Sequence, residues 1–324
     1  MNDADWKDRP EGGGRFAIRL IGGIARHGGR GIARACLYPI TLYFFCMRGT
    51  ERRASRDYLQ RVRGRPASAL AVTRHIHTFA ATILDRVFLV AGRTRLFDIR
   101  SSGTEALLQL LDQGRGVLVF GSHLGSFDAL RVLARERPEL KLRVLMDRSH
   151  NAAITELLAE LDPSLAAGII DAGQDGASIV LAIQQALEAG EMVSLLVDRV
   201  RPGEAFVSAP LLGEQAAFPS APWLIASALK APVVLAFGLY RGGNRYDLRF
   251  ETFAETVDIP RPRRSEILST LIHRYAGRLE HHLRLAPYNW FNFYDFWHSQ
   301  ARATSADLPA GKPADQQPGL GQRH

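Results

Sequence analysis

The chain has 324 residues, 46% hydrophobic and 23% charged, which suits a large folded core and excludes a wholly disordered polypeptide. Its two cysteines, Cys36 and Cys46, exclude a disulfide-built scaffold and lack the C-x-x-C spacing of zinc or redox sites. The formal charge of +8 is uneven: residues 1–100 hold 19 Lys+Arg against 8 Asp+Glu, and the remainder 22 against 25. A basic first third on a slightly acidic body points to an anionic surface partner, either a phospholipid surface or a nucleic acid.

The first residues are polar and lack the apolar core of a secretion signal. Arg15, Arg19, Arg26, Arg30 and Arg34 recur at helical spacing, with Phe16, Leu20, Ile21, Ile24 and Ile32 available for an opposite face. The apolar run Ala35 to Met47 is too short to span a bilayer. Together they predict a monotopic amphipathic anchor with a cationic face, residues 1–50; the plainer alternative is a solvated helix leading into a core segment.

Beyond it, strands alternate with helices. Helices are expected over Ser55 to Val62, His75 to Val90, Thr104 to Leu111, Phe127 to Arg135, Ala152 to Leu161, Ala177 to Ala189, Pro222 to Lys230 and Glu266 to Leu285. Compact apolar, β-branched runs predict strands at Gly116 to Phe120, Leu142 to Met146, Met192 to Val197 and Pro232 to Tyr240, with a further one at Arg245 to Glu251. The pattern implies an α/β body, residues 51–300, with a central, mostly parallel sheet flanked by helices on both faces. Residues 301–324 read as a loose tail. Ligands of such sheets bind at the carboxyl ends of the strands.

The first of those strand ends reads Gly121-Ser122-His123-Leu124-Gly125-Ser126-Phe127-Asp128. A histidine just past a buried strand, with an acid five positions on, is one way to build a general base. The acid would fix the imidazole tautomer and stabilise its charged form. The same spacing also suits a helix-capping Asp beside an incidental histidine.

This block, Gly116 to Leu133, resembles the H-x-x-x-x-D/E motif of the lysophospholipid acyltransferase superfamily, and within it the late lipid A (lauroyl/myristoyl) acyltransferases. The resemblance runs roughly from Arg53 to Trp297. It implies His123 as general base and Asp128 as its acidic partner. The acyl group would come from acyl carrier protein or coenzyme A and pass to a hydroxyl of a lipid acceptor. The blocks Arg143 to Arg148, with Asn151, and Ser194 to Val200, leading by a loop into Leu211-Leu212-Gly213 and Phe218-Pro219, are similar to two later family motifs. They carry Arg148 and Asp198 over as active-site residues.

There are departures: Ser149-His150-Asn151 stands where an asparagine pair is usual, and the block Ala286 to Trp297 is more similar to a branch encoded with aryl-polyene lipid pathways.

Substrate-contact candidates are therefore Ser122, Gly125, Arg148, Asp198 and Arg199, with structural salt bridges to Asp147 or Asp198 the alternative for the arginines. No G-x-S-x-G elbow surrounds Ser122 or Ser126, so direct attack on the thioester is expected, without an acyl-enzyme. His273, Glu280, His281 and His282 lack metal-ligand spacing and read as a mostly exposed helix face. His75 and His77 read as packed or solvated, and the aromatic run Tyr288 to Trp297 as closing core. No metal or cofactor is expected, nor a nucleic-acid partner, since no recognition module is present. The expected partners are the acyl thioester, a lipid acceptor and a membrane surface, at the cytoplasmic face of a bacterial inner membrane. A lipid-binding module without chemistry is the alternative.

Overall fold

The computed structural model describes residues 15–130, 140–148 and 167–297, with the backbone alone for 15–28 and 130. Three helices lead in: α1 (Arg15–Met47), α2 (Gly49–Arg63) and α3 (Ala69–Val90). They are followed by β1 (Asp98–Ser102), α4 (Thr104–Asp112), β2 (Val117–Gly121), β3 (Leu142–Met146), β4 (Ile169–Asp171), α5 (Gly176–Glu188) and β5 (Met192–Leu196). Then come β6 (Phe206–Leu211), β7 (Glu214–Pro219), α6 (Ala221–Ala228), β8 (Val233–Gly242), β9 (Arg245–Ala254) and α7 (Arg264–Leu285).

Seven strands form one sheet in the order β1-β9-β8-β2-β5-β3-β4. Neighbours pair in parallel throughout except β8 with β9, so β9 and β1 run against the other five. This is the expected α/β architecture. Strand β2 is buried along its whole length, as a central parallel strand covered on both sides must be. Its side chains alternate between two cores. Leu118 and Phe120 join Val233, Leu235 and Phe237 of β8 under α2, α5, α6 and α7. Val117 and Val119 join Val234 and Ala236 under α1, α3 and α4.

Several elements escaped the sequence pattern. β1 is a polar edge strand, β4 has three residues, and the expected loop before Phe218 is the hairpin β6–β7, turning at Leu212 and Gly213. Phe127–Leu130 is a short 3-10 turn; the remainder of that expected helix, the helix at 152–161 and the tail lie outside the described residues.

The largest correction concerns α1. It is one helix broken at Gly29, whose φ of 73° and ψ of 174° suit glycine alone. Past the break, Arg30 and Arg34 do not form an outward cationic face. Asp85 of α3 is fully buried, and its charge needs partners. Arg30 grips it with Nε and a terminal nitrogen at 2.8 and 3.0 Å, Arg34 approaches to 3.7 Å, and the Tyr246 hydroxyl donates at 2.9 Å. The arginines therefore turn inward, and the outward face is apolar: Ile32, Tyr38, Leu42, Tyr43 and Met47 are each 59–69% exposed. The side chains of Arg15, Arg19 and Arg26 lie outside those described. Among the described residues, no helix is long and apolar enough to cross a membrane.

Candidate active site

Parallel pairing between β2 and β5 sets Gly121 opposite Leu196. Counting two residues on from each brings His123 and Asp198 together at the same level of the sheet edge. The imidazole Nδ1 lies 2.7 Å from Asp198 Oδ1, and the backbone N–H of His123 donates to Oδ2 at 3.1 Å. Asp198 has no exposed surface, and two further donors serve Oδ2: Trp290 Nε1 at 3.1 Å and Asn292 Nδ2 at 3.3 Å. Burial works to raise the Asp198 carboxyl, but the charge and hydrogen bonds of His123, with Arg199, outweigh it and hold the group well below the usual carboxylate range.

A carboxylate on Nδ1 requires the proton there, which leaves the Nε2 lone pair free. The His123 side chain keeps 27% of its surface open, so that lone pair is approachable. Burial first, then the charge of Arg199, lowers the imidazole pKa; Asp198 pulls the other way, and Arg86 adds to the lowering. The ring is thus neutral at neutral pH.

The acid five residues downstream sits elsewhere. Asp128 is buried on the 3-10 turn, where Arg86 of α3 holds its carboxylate through Nε. The bond at Nδ1 that sequence spacing gave to Asp128 is made by Asp198. The reason is the loop between them. Gly125 takes φ 75° so that its backbone can cross β8, and a Cβ there would meet Gly238 O at 2.0 Å. Ser126 N–H donates to the same carbonyl at 2.7 Å, which turns Phe127 and Asp128 toward α3.

The other expected substrate contacts divide. Ser122 is buried and hydrogen-bonded to the Tyr275 hydroxyl at 2.9 Å, and Gly125 donates its N–H to Asn289 O at 2.8 Å, so both build the wall of the site. Asp198 is enclosed and serves the imidazole instead. Arg199 spends Nε on Asn292 Oδ1 at 2.6 Å and a terminal nitrogen on Phe291 O at 3.2 Å, with its guanidinium over the Tyr294 ring. Arg148 is exposed at the carboxyl end of β3, its N–H bonded to Asp171.

Sequence reasoning missed the role of the aromatic block after α7. Residues 288–297 run past the histidine loop: Leu124 and Trp290 form a bridge, and Phe291 N–H donates to His123 O at 2.8 Å. Asn289 brackets Tyr240 of β8, accepting its N–H at 2.7 Å and donating to its carbonyl at 3.1 Å. The two asparagines amid aromatics, Asn289 and Asn292, were the available signal, since a purely packing segment has little use for buried amides.

His75 is indeed packed and fully buried. The histidine group of α7 corrects the expectation in part: His282 is buried, its ring tilted against that of Phe237 with centroids 4.1 Å apart and bonded to Glu251 at 2.7 Å, while His281 is exposed. Among the described residues, no group of three or more His, Cys, Asp or Glu side chains is arranged to hold a metal ion.

No curated protein matches the chain. A family model described as bacterial lipid A biosynthesis acyltransferase matches residues 73–299, more than two thirds of the sequence. That span takes in His123, Asp128, Arg148, Asp198 and the aromatic block after α7. The chain therefore belongs to the bacterial lipid A biosynthesis acyltransferase family.

Proposed function

We propose that this acyltransferase moves a fatty acyl group from an acyl thioester, on acyl carrier protein or coenzyme A, to a hydroxyl of a membrane lipid or glycolipid. The observation that carries the reading is the neutral, partly open His123 with Asp198 on its Nδ1. Nε2 takes the proton of the acceptor hydroxyl as that oxygen attacks the thioester carbonyl carbon. The tetrahedral intermediate collapses, the C–S bond breaks, and the thiolate recovers the proton from the imidazolium. Asp198 stabilises that imidazolium and keeps the ring oriented. Arg86 and Arg199, whose charges already bear on the imidazole, favour the negative charge that develops on the carbonyl oxygen. Asp128 acts by holding Arg86 beside the ring.

The setting we propose is the cytoplasmic face of a bacterial inner membrane. The outward face of α1 supports it: between Gly31 and Met47 the one charged residue, Arg34, turns toward Asp85, and the apolar stripe with two tyrosines that remains outward suits insertion at the boundary of headgroups and acyl chains. Attachment then rests on apolar insertion rather than on the arginine face expected from spacing.

The test compares wild type with His123→Ala, using labelled acyl carrier protein thioester, coenzyme A thioester and a total bacterial lipid extract, with products read by mass spectrometry. An acylated lipid from wild type alone supports the reading, and its mass names the acceptor. Equal product from both proteins removes His123 from the mechanism. Lipid binding without product from either protein makes the chain a lipid-binding module.

A further inference from the structure

His75 is an ionisable side chain with no exposed surface, and the proposed chemistry does not touch it. Both its nitrogens are committed. Nε2 lies 2.8 Å from the Trp290 carbonyl oxygen, which can only accept, so Nε2 carries the proton. Nδ1 is then an acceptor, and the Ser55 hydroxyl donates a hydrogen bond to it at 2.8 Å. A hydrocarbon would fill this volume without the cost of burying an imidazole. What the imidazole adds is a fixed position for one backbone carbonyl.

That carbonyl belongs to the residue whose indole N–H donates to Asp198 Oδ2 at 3.1 Å, while Asp198 Oδ1 holds His123 Nδ1 at 2.7 Å. The indole ring is caged by Tyr58 at 5.0 Å and Phe296 at 4.6 Å, so its N–H direction follows the backbone. The next residue, Phe291, donates its N–H to His123 O. A shift at residue 290 therefore moves both the side-chain and the main-chain support of His123.

We infer that His75 is a positioning residue for His123, acting through the Trp290 carbonyl and the indole N–H that Trp290 gives to Asp198. The chain of contacts joins the end of β2, which carries His123, to four segments distant from it in sequence: α2, α3, the aromatic block and the end of β5. The inference rests on the acyltransferase reading for its effect on rate, but not for its effect on the His123 ring.

Four variants test it: His75→Leu, His75→Gln, Trp290→Phe and the double variant His75→Leu/Trp290→Phe. Thermal unfolding first confirms that each is folded. His75→Leu and Trp290→Phe each lower kcat about 10- to 100-fold with KM for the thioester changed less than twofold. The double variant is no worse than either single one, because both remove the same support. His75→Gln, which keeps a donor toward the Trp290 carbonyl, recovers most of the rate.

The second readout is nitrogen NMR of labelled histidine in detergent, which needs no turnover. With the indole donor lost or displaced, Asp198 holds more negative charge toward the ring. The His123 pKa then rises in both single variants, and so does the acid limb of the pH–rate profile. An unchanged His123 signal in both folded variants overturns the inference, as do losses that multiply in the double variant. If His75→Leu does not fold, Ser55→Ala and Trp290→Phe carry the same comparison. Absence of acyl transfer in wild type counts against the acyltransferase reading alone, since the NMR arm still decides the positioning role.

Discussion

Asp198 and His123 stand level with one another, two residues past the paired ends Leu196 and Gly121 of neighbouring parallel strands, with Oδ1 and Nδ1 2.7 Å apart. Asp198→Asn removes the charge that orients the ring and stabilises the imidazolium. It is expected to lower kcat by roughly 10²- to 10⁴-fold while the fold persists, as measured with the thioester assay.

Asp128→Asn acts by another route. It leaves the Asp198 bond in place and weakens the hold on Arg86, so activity falls while His123 keeps its Nδ1–H tautomer in nitrogen NMR. A tautomer change in Asp128→Asn would show that Asp128, rather than Asp198, governs the imidazole.

The loop that carries the histidine depends on backbone contact between two glycines. Gly125→Ala places a Cβ 2.0 Å from the Gly238 carbonyl oxygen at φ 75°. The clash is backbone against backbone, so no side chain can yield. The expected cost is about 2–4 kcal/mol, read as a lower midpoint in chemical denaturation.

Acid should weaken the fold through His75, whose pKa burial lowers to about 4 from its ordinary 6.5. As pH falls, the unfolded chain binds this proton first, so the contribution is complete above pH 6.5 and is lost progressively down to about 4. The full span is on the order of 3 kcal/mol. Denaturation midpoints at pH 7, 5.5 and 4.5 measure it, and His75→Gln should flatten that part of the profile. Activity has a separate marker: because the His123 pKa is also lowered, the acid limb of kcat/KM should lie below pH 6.5.

Membrane attachment by α1 predicts that Leu42→Asp/Met47→Asp reduces co-sedimentation with phospholipid vesicles by tenfold or more, with thermal stability nearly unchanged because both side chains already face outward. Binding of wild type to uncharged phosphatidylcholine vesicles should persist at high salt, since the contact is apolar. Loss of binding on adding salt would instead point to the basic side chains.

By itself the sequence determined the α/β class, because buried strands such as Val117–Gly121 and amphipathic helices such as Arg264–Leu285 write their periods locally. It also marked His123, whose place after a buried strand needs only local information. The partner of that histidine was decided by strand order: β5 lies beside β2 although Asp198 is 75 residues away, and no spacing rule reports which strands become neighbours. The direction of Arg30 and Arg34 was likewise decided by Asp85, an isolated acid whose burial is invisible in sequence. Trp290, Asn292 and His75 joined the site by long-range backbone and side-chain bonds, which depend on the assembled core and leave no periodic trace in the chain.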